Sequence, residues 1–165
     1  MDNLVEPWND PRVLQGLPIE LKLYRGFRTH DSTPEIYISS PVNRIPVDVP
    51  PEIQIIVDDY FDEIFGIRFR QRGIFCSGNI KTAREYAHSE CDIRSISSIY
   101  NFAFCWSPKV KDFYEHLPEL DGTKKTIHEF LKNSRFMTTD LEMAITSGNE
   151  IILVGDEFLA RSISE

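Results

Sequence analysis

Two charged side chains stand beside strand-forming segments, where a ligand could reach them. Arg25 follows the alternating apolar and polar residues 21–24 and precedes Gly26. A guanidinium there could form paired hydrogen bonds to a phosphate or a sugar oxygen, and the glycine would let the ligand approach. Glu150 stands at the start of the apolar run 151–154, where a carboxylate has no obvious packing role. The structural alternatives are a strand-end arginine paired with a carboxylate and an ordinary polar residue at a strand start.

A third polar position is Ser77, which ends a short apolar strand. We expect its hydroxyl to bind the ligand or to support Glu150. Asn79 opens the following helix, whose first amides favour an anion. A simple helix N-cap is the alternative interpretation of Ser77 and Asn79. Phe75 or Tyr24 could stack on an aromatic ligand, although aromatic residues in strands usually pack in the core.

The surrounding sequence intermixes strands and helices. Strands are predicted at residues 21–26, 73–77 and 93–106, the last broken near 98–101. Helices are predicted at residues 51–66, 79–88, 108–117, 123–132 and 140–147. The proline-rich residues 31–50 predict a surface loop. The last two strands, 150–154 and 158–163, are joined by Gly155 and Asp156 and predict a β-hairpin, which favours an α+β fold over a doubly wound parallel sheet.

Length and composition fit one folded domain. The chain has 165 residues, of which 41% are hydrophobic and 12% aromatic, enough for a real core. We expect residues 1–18 to form an irregular N-terminal arm and residues 19–165 to form a single catalytic domain. The net charge of −8 argues against loose binding to nucleic acid or anionic membranes, since Lys and Arg supply most of that affinity.

Targeting and metal signals are absent from the sequence pattern. No signal-peptide pattern and no run of about twenty apolar residues occurs, so we expect a soluble cytoplasmic protein with no membrane partner. The three cysteines and four histidines show no metal-ligand spacing, and the cysteines are expected to be free buried thiols. They are Cys76, Cys91, Cys105, His30, His88, His116 and His128. The sequence therefore predicts no metal site.

The order of these motifs resembles the ADP-ribosyltransferase superfamily. The resemblance is carried by Leu23-Tyr24-Arg25-Gly26, Gly73-Ile74-Phe75-Cys76-Ser77-Gly78-Asn79, Ala83, Tyr86-Ala87 and Asn149-Glu150-Ile151-Ile152-Leu153. It implies a single-domain ADP-ribosyltransferase-like fold, with mixed or antiparallel sheets flanked by helices. It also implies that NAD+ is the co-substrate, with no metal.

The same resemblance assigns roles to particular residues. It implies that Arg25, Ser77 and Glu150 are catalytic, and that Tyr24, Arg25, Gly26, Phe75, Ser77 and Asn79 bind NAD+. Cleavage of the bond between nicotinamide and ribose develops a cationic, oxocarbenium-like ribose, so a carboxylate beside the ribose is the group that this reaction needs. Glu150 is the residue that the resemblance places there.

The resemblance further implies a mono-ADP-ribosyltransferase, either a toxin or a phage-defence effector, with a macromolecular acceptor. Protein or nucleic acid could be that acceptor, and an antitoxin or immunity protein is an expected partner. Gly148 stands where protein-modifying members often carry Glu or Gln, so an arginine acceptor is disfavoured and a nucleic-acid base is admissible. A NAD+ glycohydrolase is the enzymatic variant. The rival class is a non-catalytic module of this fold that binds a nucleotide or a partner protein.

Overall fold

A computed structural model describes residues 6–42, 44 and 49–163 as an α+β protein with two antiparallel four-stranded sheets. The first sheet has the order β1-β6-β7-β4, and its strands are Trp8–Asn9, Phe102–Trp106, Ile151–Gly155 and Ile74–Cys76. The second has the order β2-β5-β8-β3, and its strands are Leu23–Gly26, Ile93–Ser98, Phe158–Ser162 and Glu35–Ile38.

Six α-helices and two 3-10 helices lie between the strands of the described residues. The α-helices α1 to α6 are Arg12–Gln15, Pro51–Phe65, Phe69–Arg72, Ile80–Tyr86, Lys124–Ser134 and Leu141–Ser147. The 3-10 helices are Glu90–Asp92 and Phe113–Glu119. No helix in the described part of the chain is both long and apolar enough to cross a membrane.

Helix α2 shows how local sequence sets an element. Pro51 occupies the first turn, where its missing amide hydrogen costs nothing. Ile53, Val57 and Phe61 recur at four-residue spacing and are buried. Gly66 ends the helix in the left-handed conformation (φ 78°), and its amide donates to the Asp62 carbonyl. The predicted span 51–66 is therefore confirmed.

Strand alternation divides the core into two layers. Ile151 and Leu153 of β7 belong to the cluster that lies between the two sheets, together with Phe158 of β8. Ile152 and Val154 point to the opposite face, where the helices α2, α3 and α5 pack. The first sheet is thus buried on both faces, which explains why β6 and β7 are continuous apolar runs.

The predicted C-terminal β-hairpin is wrong. Strands β7 and β8 follow one another in the chain, yet β7 pairs with β6 and β4, whereas β8 pairs with β5 and β3. Both edges of β7 are already occupied, so the chain crosses to the other sheet after Gly155. The crossing from β5 to β6 lies beside it, where the Ile99 amide donates to the Glu157 carbonyl (3.1 Å). The residues Gly155 and Asp156 predicted that the chain would turn back along β7, but the strand pairing takes the chain from the first sheet to the second.

Three other predictions differ from the structure. The N-terminal arm is not irregular throughout, because β1 and α1 form within it and Leu14 is buried in the core. The proline-rich loop contains strand β3, which pairs with β8. The helix predicted over 108–117 is instead the 3-10 helix that begins at Phe113 and contains Pro118. In each case tertiary contacts, not local propensity, decided the conformation.

Candidate functional site

The Tyr24 and Ser77 motifs meet at the junction of the two sheets. Tyr24 lies on β2, an edge strand of the second sheet, and forms an isolated antiparallel bridge with Ser77, which directly follows β4 of the first. The Tyr24 amide donates to the Ser77 carbonyl (2.7 Å), and the Ser77 amide donates to the Tyr24 carbonyl (2.9 Å). Arg25 is therefore held beside the end of β4.

Glu150 reaches the same place through the pairing of β4 with β7. Cys76 lies opposite Ile151 in that antiparallel pair. Continuing the register by one residue sets Glu150 opposite Ser77. The fold thus places the backbones of the three residues predicted to be catalytic at adjoining strand ends. Their side chains, in contrast, bond other groups: Arg25 the Phe75 carbonyl, Ser77 the Gly148 carbonyl and Glu150 the Arg70 guanidinium.

Arg25 is half-buried and bonds the backbone rather than a carboxylate. Its Nη1 donates to the Phe75 carbonyl (2.8 Å), and its guanidinium carbon lies 5.4 Å from the centre of the Phe27 ring. Its Nε is buried and has no hydrogen-bond partner among the described residues. Burial lowers the pKa of Arg25 from its ordinary value. The alternative of a carboxylate-paired arginine is not what the described residues show.

Arg70, on helix α3, is a site residue that the sequence did not predict. Its Nη1 donates to Oε1 of Glu150 at 2.9 Å, and the two side chains are only 10% and 19% exposed. Its guanidinium carbon lies 4.9 Å from the ring centre of Phe75 and 4.5 Å from that of Phe113. The backbone amide of Arg70 donates to Oδ1 of the buried Asp58 (2.8 Å), which fixes α3 against α2. The rings of Phe75 and Phe113 and the carboxylates of Glu150 and Asp58 thus hold Arg70 in place.

Arg44 is the second residue that was missed. Its guanidinium carbon lies 4.8 Å from the Phe75 ring centre, and its Nη2 donates to the Gly73 carbonyl at 2.6 Å. The pKa of Arg44 is lowered to about 10, mainly by burial and also by the positive charges of Arg25 and Arg70, while the negative charge of Glu150 acts in the opposite direction. Arg25, Arg44 and Arg70 are called here the arginine cluster. Their positive charges repel one another where the guanidinium groups are partly buried.

The arginine cluster has the properties of an anion site. Among the described residues only Arg70 of the three has a carboxylate partner, while Arg25 and Arg44 donate to backbone carbonyls. The buried Nε atoms of all three lack a hydrogen-bond partner among those residues. An anion would reduce the repulsion and accept hydrogen bonds from those guanidinium N–H groups that it can reach. This concentration of positive charge stands in a chain whose net charge is −8.

Glu150 is fixed on one oxygen and loosely held on the other. Oε1 accepts from Arg70, whereas Oε2 has only a long contact (3.5 Å) from the Phe113 amide. The Glu150 backbone amide donates to the Lys111 carbonyl (2.9 Å). Among the described residues Oε2 is therefore the oxygen with hydrogen-bonding capacity left over. Among the described residues, Glu150 is the only carboxylate that forms an ion pair with the arginine cluster.

Ser77 and Asn79 form the turn that supports these residues. The Ser77 hydroxyl donates to the Gly148 carbonyl (2.9 Å) and accepts from the Asn79 amide (3.0 Å). Oδ1 of Asn79 accepts from the Lys81 amide (2.9 Å), so Asn79 is the N-cap of α4. Ser77 is 3% exposed. It ties the start of α4 to the segment that leads into Glu150.

Gly26 serves the packing of β2 against α4. A Cβ atom there would overlap the Ala83 carbonyl oxygen and lie 2.8 Å from the Ala87 amide nitrogen. Strand β2 is therefore pressed against α4, and the small residue is needed for that contact. The sequence prediction that the glycine lets a ligand approach stays a prediction.

The rim of the site carries Tyr86. It is 41% exposed, its hydroxyl donates to Asp112 at 3.4 Å, and the Arg28 guanidinium lies 5.5 Å from its ring centre. Burial raises the pKa of Tyr86, and the negative charges of Asp112 and Glu150 raise it further. Tyr86 therefore lies within the electrostatic reach of Glu150, at the open side.

Two concave surfaces lie elsewhere. One, of about 230 Å³, is lined by residues near Trp8 and Thr139, and the other, of about 650 Å³, by residues near Val13 and Met143. No residue of the predicted site lines either of them. The arginine cluster, in contrast, combines three guanidinium groups, hydrogen-bond donors without a partner among the described residues, and the Glu150 carboxylate.

A weak signal for one missed residue was present in the sequence. Residues 68–72 read Arg-Phe-Arg-Gln-Arg, directly before the strand that carries Phe75. Three arginines at alternating positions, close to a predicted site residue, indicate a candidate anion-binding segment. Arg44 had no such signal, because it lies within the proline-rich loop.

The sequence and the structure have no counterpart in the comparisons with known proteins. No family model matches the chain, and neither a curated protein nor a solved structure gives a significant match.

Proposed function

We propose that this protein is a NAD+-dependent mono-ADP-ribosyltransferase with an ADP-ribosyltransferase-like fold. The observation that supports it best is the arginine cluster beside Glu150. A dinucleotide needs cations for its two phosphates, and the transfer of its ribose needs a carboxylate. Arg25, Arg44 and Arg70 meet the first need and Glu150 meets the second.

In this proposal the arginine cluster binds the diphosphate. Arg25 and Arg44 each keep one nitrogen on a backbone carbonyl, which fixes their orientation. Their remaining N–H groups would donate to phosphate oxygens, and the negative charge would offset the repulsion that lowers the pKa of Arg44. Because guanidinium forks match phosphate oxygens, the binding would be directional as well as electrostatic.

Glu150 would act on the ribose. In the reaction the C–N bond between ribose and nicotinamide breaks, its electron pair goes to the pyridinium ring, and nicotinamide leaves as a neutral molecule. A nucleophile of the acceptor then bonds to the ribose carbon and loses a proton. Oε2 of Glu150 would accept a hydrogen bond from a ribose hydroxyl and stabilise the cationic transition state. Arg70 would keep Oε1 occupied and so orient the carboxylate.

The other predicted residues take supporting roles. Ser77 would hold the segment before Glu150 through the Gly148 carbonyl. Phe75 is covered by two guanidiniums, so Tyr24 is the better candidate for stacking on nicotinamide. The acceptor is proposed to be a protein or a nucleic acid. The biological setting would be that of a cytoplasmic toxin or phage-defence effector, with an antitoxin or immunity protein as its partner.

One observation favours the non-catalytic alternative. Arg70 and Glu150 form a largely buried ion pair. Such a pair can be purely structural, in which case the arginine cluster would bind a nucleotide or an acidic partner without chemistry. The two functions differ in whether Glu150 matters for turnover or only for stability.

The test measures NAD+ affinity and turnover separately. We expect purified protein to bind NAD+, to release nicotinamide, and to transfer label from NAD+ to protein or RNA in a bacterial lysate. Glu150→Gln should lower turnover by about 10²–10³-fold and change NAD+ affinity little, because ground-state NAD+ has no developing ribose charge. Arg25→Ala should weaken NAD+ binding instead.

Glu129→Gln, an exposed carboxylate on α5, is the matched control and should leave both quantities unchanged. Binding of NAD+ without turnover in the wild type would support the binding module. Release of nicotinamide without labelled acceptor would indicate a glycohydrolase. Failure of millimolar NAD+ to bind would reject both NAD+ functions.

A further inference from the structure

A second group of chemically reactive side chains lies beyond the C-terminal end of β2. His30, Cys91 and Asp92 each direct a donor atom to one point, and these atoms all lie within 4.8 Å of one another. Nδ1 of His30 lies 3.0 Å from Oδ2 of Asp92 and 3.6 Å from Sγ of Cys91. Sequence spacing predicted no metal site, since His30 is far from the other two residues along the chain.

The distances between these donors are those of a zinc site. Zn–N and Zn–O bonds of about 2.0 Å and a Zn–S bond of about 2.3 Å imply tetrahedral N···S and N···O separations of about 3.5 Å and 3.3 Å. The observed separations are 3.6 Å and 3.0 Å. The two separations that involve His30 are therefore within a few tenths of an ångström of those of a zinc site, and all three donor atoms lie within 4.8 Å of one another. The mixture of one thiol, one imidazole and one carboxylate is also a set that zinc binds.

The backbone around the cluster is already fixed. The buried Arg94 donates to the carbonyls of Asp31 (2.9 Å) and Thr33 (2.7 Å), which anchors the loop after His30. The amide of Asp31 donates to Asp92 Oδ1 (3.2 Å). These bonds hold the two ligand-bearing segments in register before any metal arrives. Such pre-positioning lowers the ordering cost of binding.

His88 is a candidate for the fourth ligand, although it does not belong to the group of donors that lie within 4.8 Å of one another. The ring centre of His88 lies 6.0 Å from that of His30, and both side chains are exposed. Rotation of the exposed His88 side chain can carry a ring nitrogen toward the cluster. Its backbone amide donates to the Phe27 carbonyl (2.8 Å), so the segment itself is held in place.

We propose that His30, Cys91 and Asp92, with His88 as fourth ligand, form a binding site for a zinc ion. The metal would link three segments: the loop after β2, the residues that follow α4, and the 3-10 helix Glu90–Asp92 that precedes β5. Binding would replace the thiol proton of Cys91 and the hydrogen bond between His30 and Asp92 by coordinate bonds. The site would then brace β2 near its end. It does not depend on the proposed transferase activity.

The test uses chelator-treated protein without a histidine tag. We expect one Co²⁺ or Zn²⁺ per chain with a Kd below about 1 µM. Bound Co²⁺ should show sulfur-to-metal charge-transfer absorption, which reports thiolate ligation directly. Zinc at 100-fold excess over Kd should raise the Tm by roughly 5–10 °C.

Variants identify the ligands. Cys91→Ser should abolish the charge-transfer absorption although Cys76 and Cys105 remain, and His30→Ala should weaken binding at least tenfold. His116→Ala is the matched control, because His116 is also paired with a carboxylate, that of Glu119 (2.7 Å), and should bind cobalt like the wild type. Folding of each variant is checked by circular dichroism. A folded wild type that binds neither metal, or absorption that persists in Cys91→Ser, would overturn the proposal.

Discussion

Replacing Arg70 by methionine removes a guanidinium from between a carboxylate and two aromatic rings. Methionine keeps most of the apolar contact with Phe75 and Phe113 but leaves Glu150 without its ion-pair partner. The two charged side chains are 10% and 19% exposed. The cost should therefore lie near the range for buried pairs and well above that for surface pairs.

The expected magnitude follows from that exposure. Removing one partner of a fully buried pair costs about 3–5 kcal/mol, and residual solvent reduces this to about 2–4 kcal/mol here. For a chain of this length the Tm should fall by roughly 5–12 °C. The penalty is mainly that of an unpaired Glu150. In the double variant Arg70→Met/Glu150→Gln, about 2 kcal/mol of the loss should therefore return.

The assay is a double-mutant cycle in urea. Free energies of unfolding are measured for the wild type, both single variants and the double variant. Arg68→Met is the matched control, because Arg68 is a neighbouring arginine whose partner Asp59 is 53% exposed, and it should cost less than about 1 kcal/mol. A coupling energy below about 0.5 kcal/mol would refute the inference that Arg70 holds Glu150 in a desolvated place.

Two further substitutions test the packing and the electrostatics around the site. Gly26→Ala should lower the free energy of unfolding by about 1–3 kcal/mol, because the new Cβ would overlap the Ala83 carbonyl oxygen. Gly122→Asn is the control and should cost far less, because Gly122 has a left-handed backbone and open space around it. Equal Tm values for the two variants would contradict the close contact between β2 and α4. Burial raises the pKa of Asp58 to about 6. Because the folded pKa is raised, the contribution of Asp58 to the free energy of unfolding is fully present below its unfolded pKa near 4 and is lost as the pH rises through 6. Relative to the wild type, Asp58→Asn should therefore become more stable by about 1–3 kcal/mol between pH 4 and pH 7, as measured by urea unfolding. A difference between the two proteins that does not change with pH would refute the raised pKa.

Local sequence patterns predicted the elements that local chemistry controls. Pro51 and Gly66 defined helix α2, and Thr123 marked the start of α5, where its side chain accepts from the Thr126 amide. The interruption between β5 and β6 was also predicted, and the α+β class is confirmed. These features depend on capping, backbone conformation and hydrophobic spacing within a few residues. Such signals are readable in one sequence.

Positions joined by sheet pairing were only partly predictable. Arg25, Ser77 and Glu150 were singled out one by one, and the pairing of β2 and β7 with the end of β4 set them side by side. The arginine-rich residues 68–72 were a weak local signal for Arg70, but nothing local indicated that Arg44 would lie against Phe75. The identity of the site residues was thus partly visible in the sequence, but its charge balance was not.

The sequence by itself determined which segments could be strands or helices and which residues could do chemistry. The tertiary structure alone decided that β7 and β8 belong to different sheets, and that Arg70 neutralises Glu150. It also decided that His30 meets Cys91. The physical reason is the range of the forces involved. Capping and periodicity act over one or two turns of chain, whereas ion pairs, stacking and ligand clusters depend on distances in space that only the packing of distant strands can set.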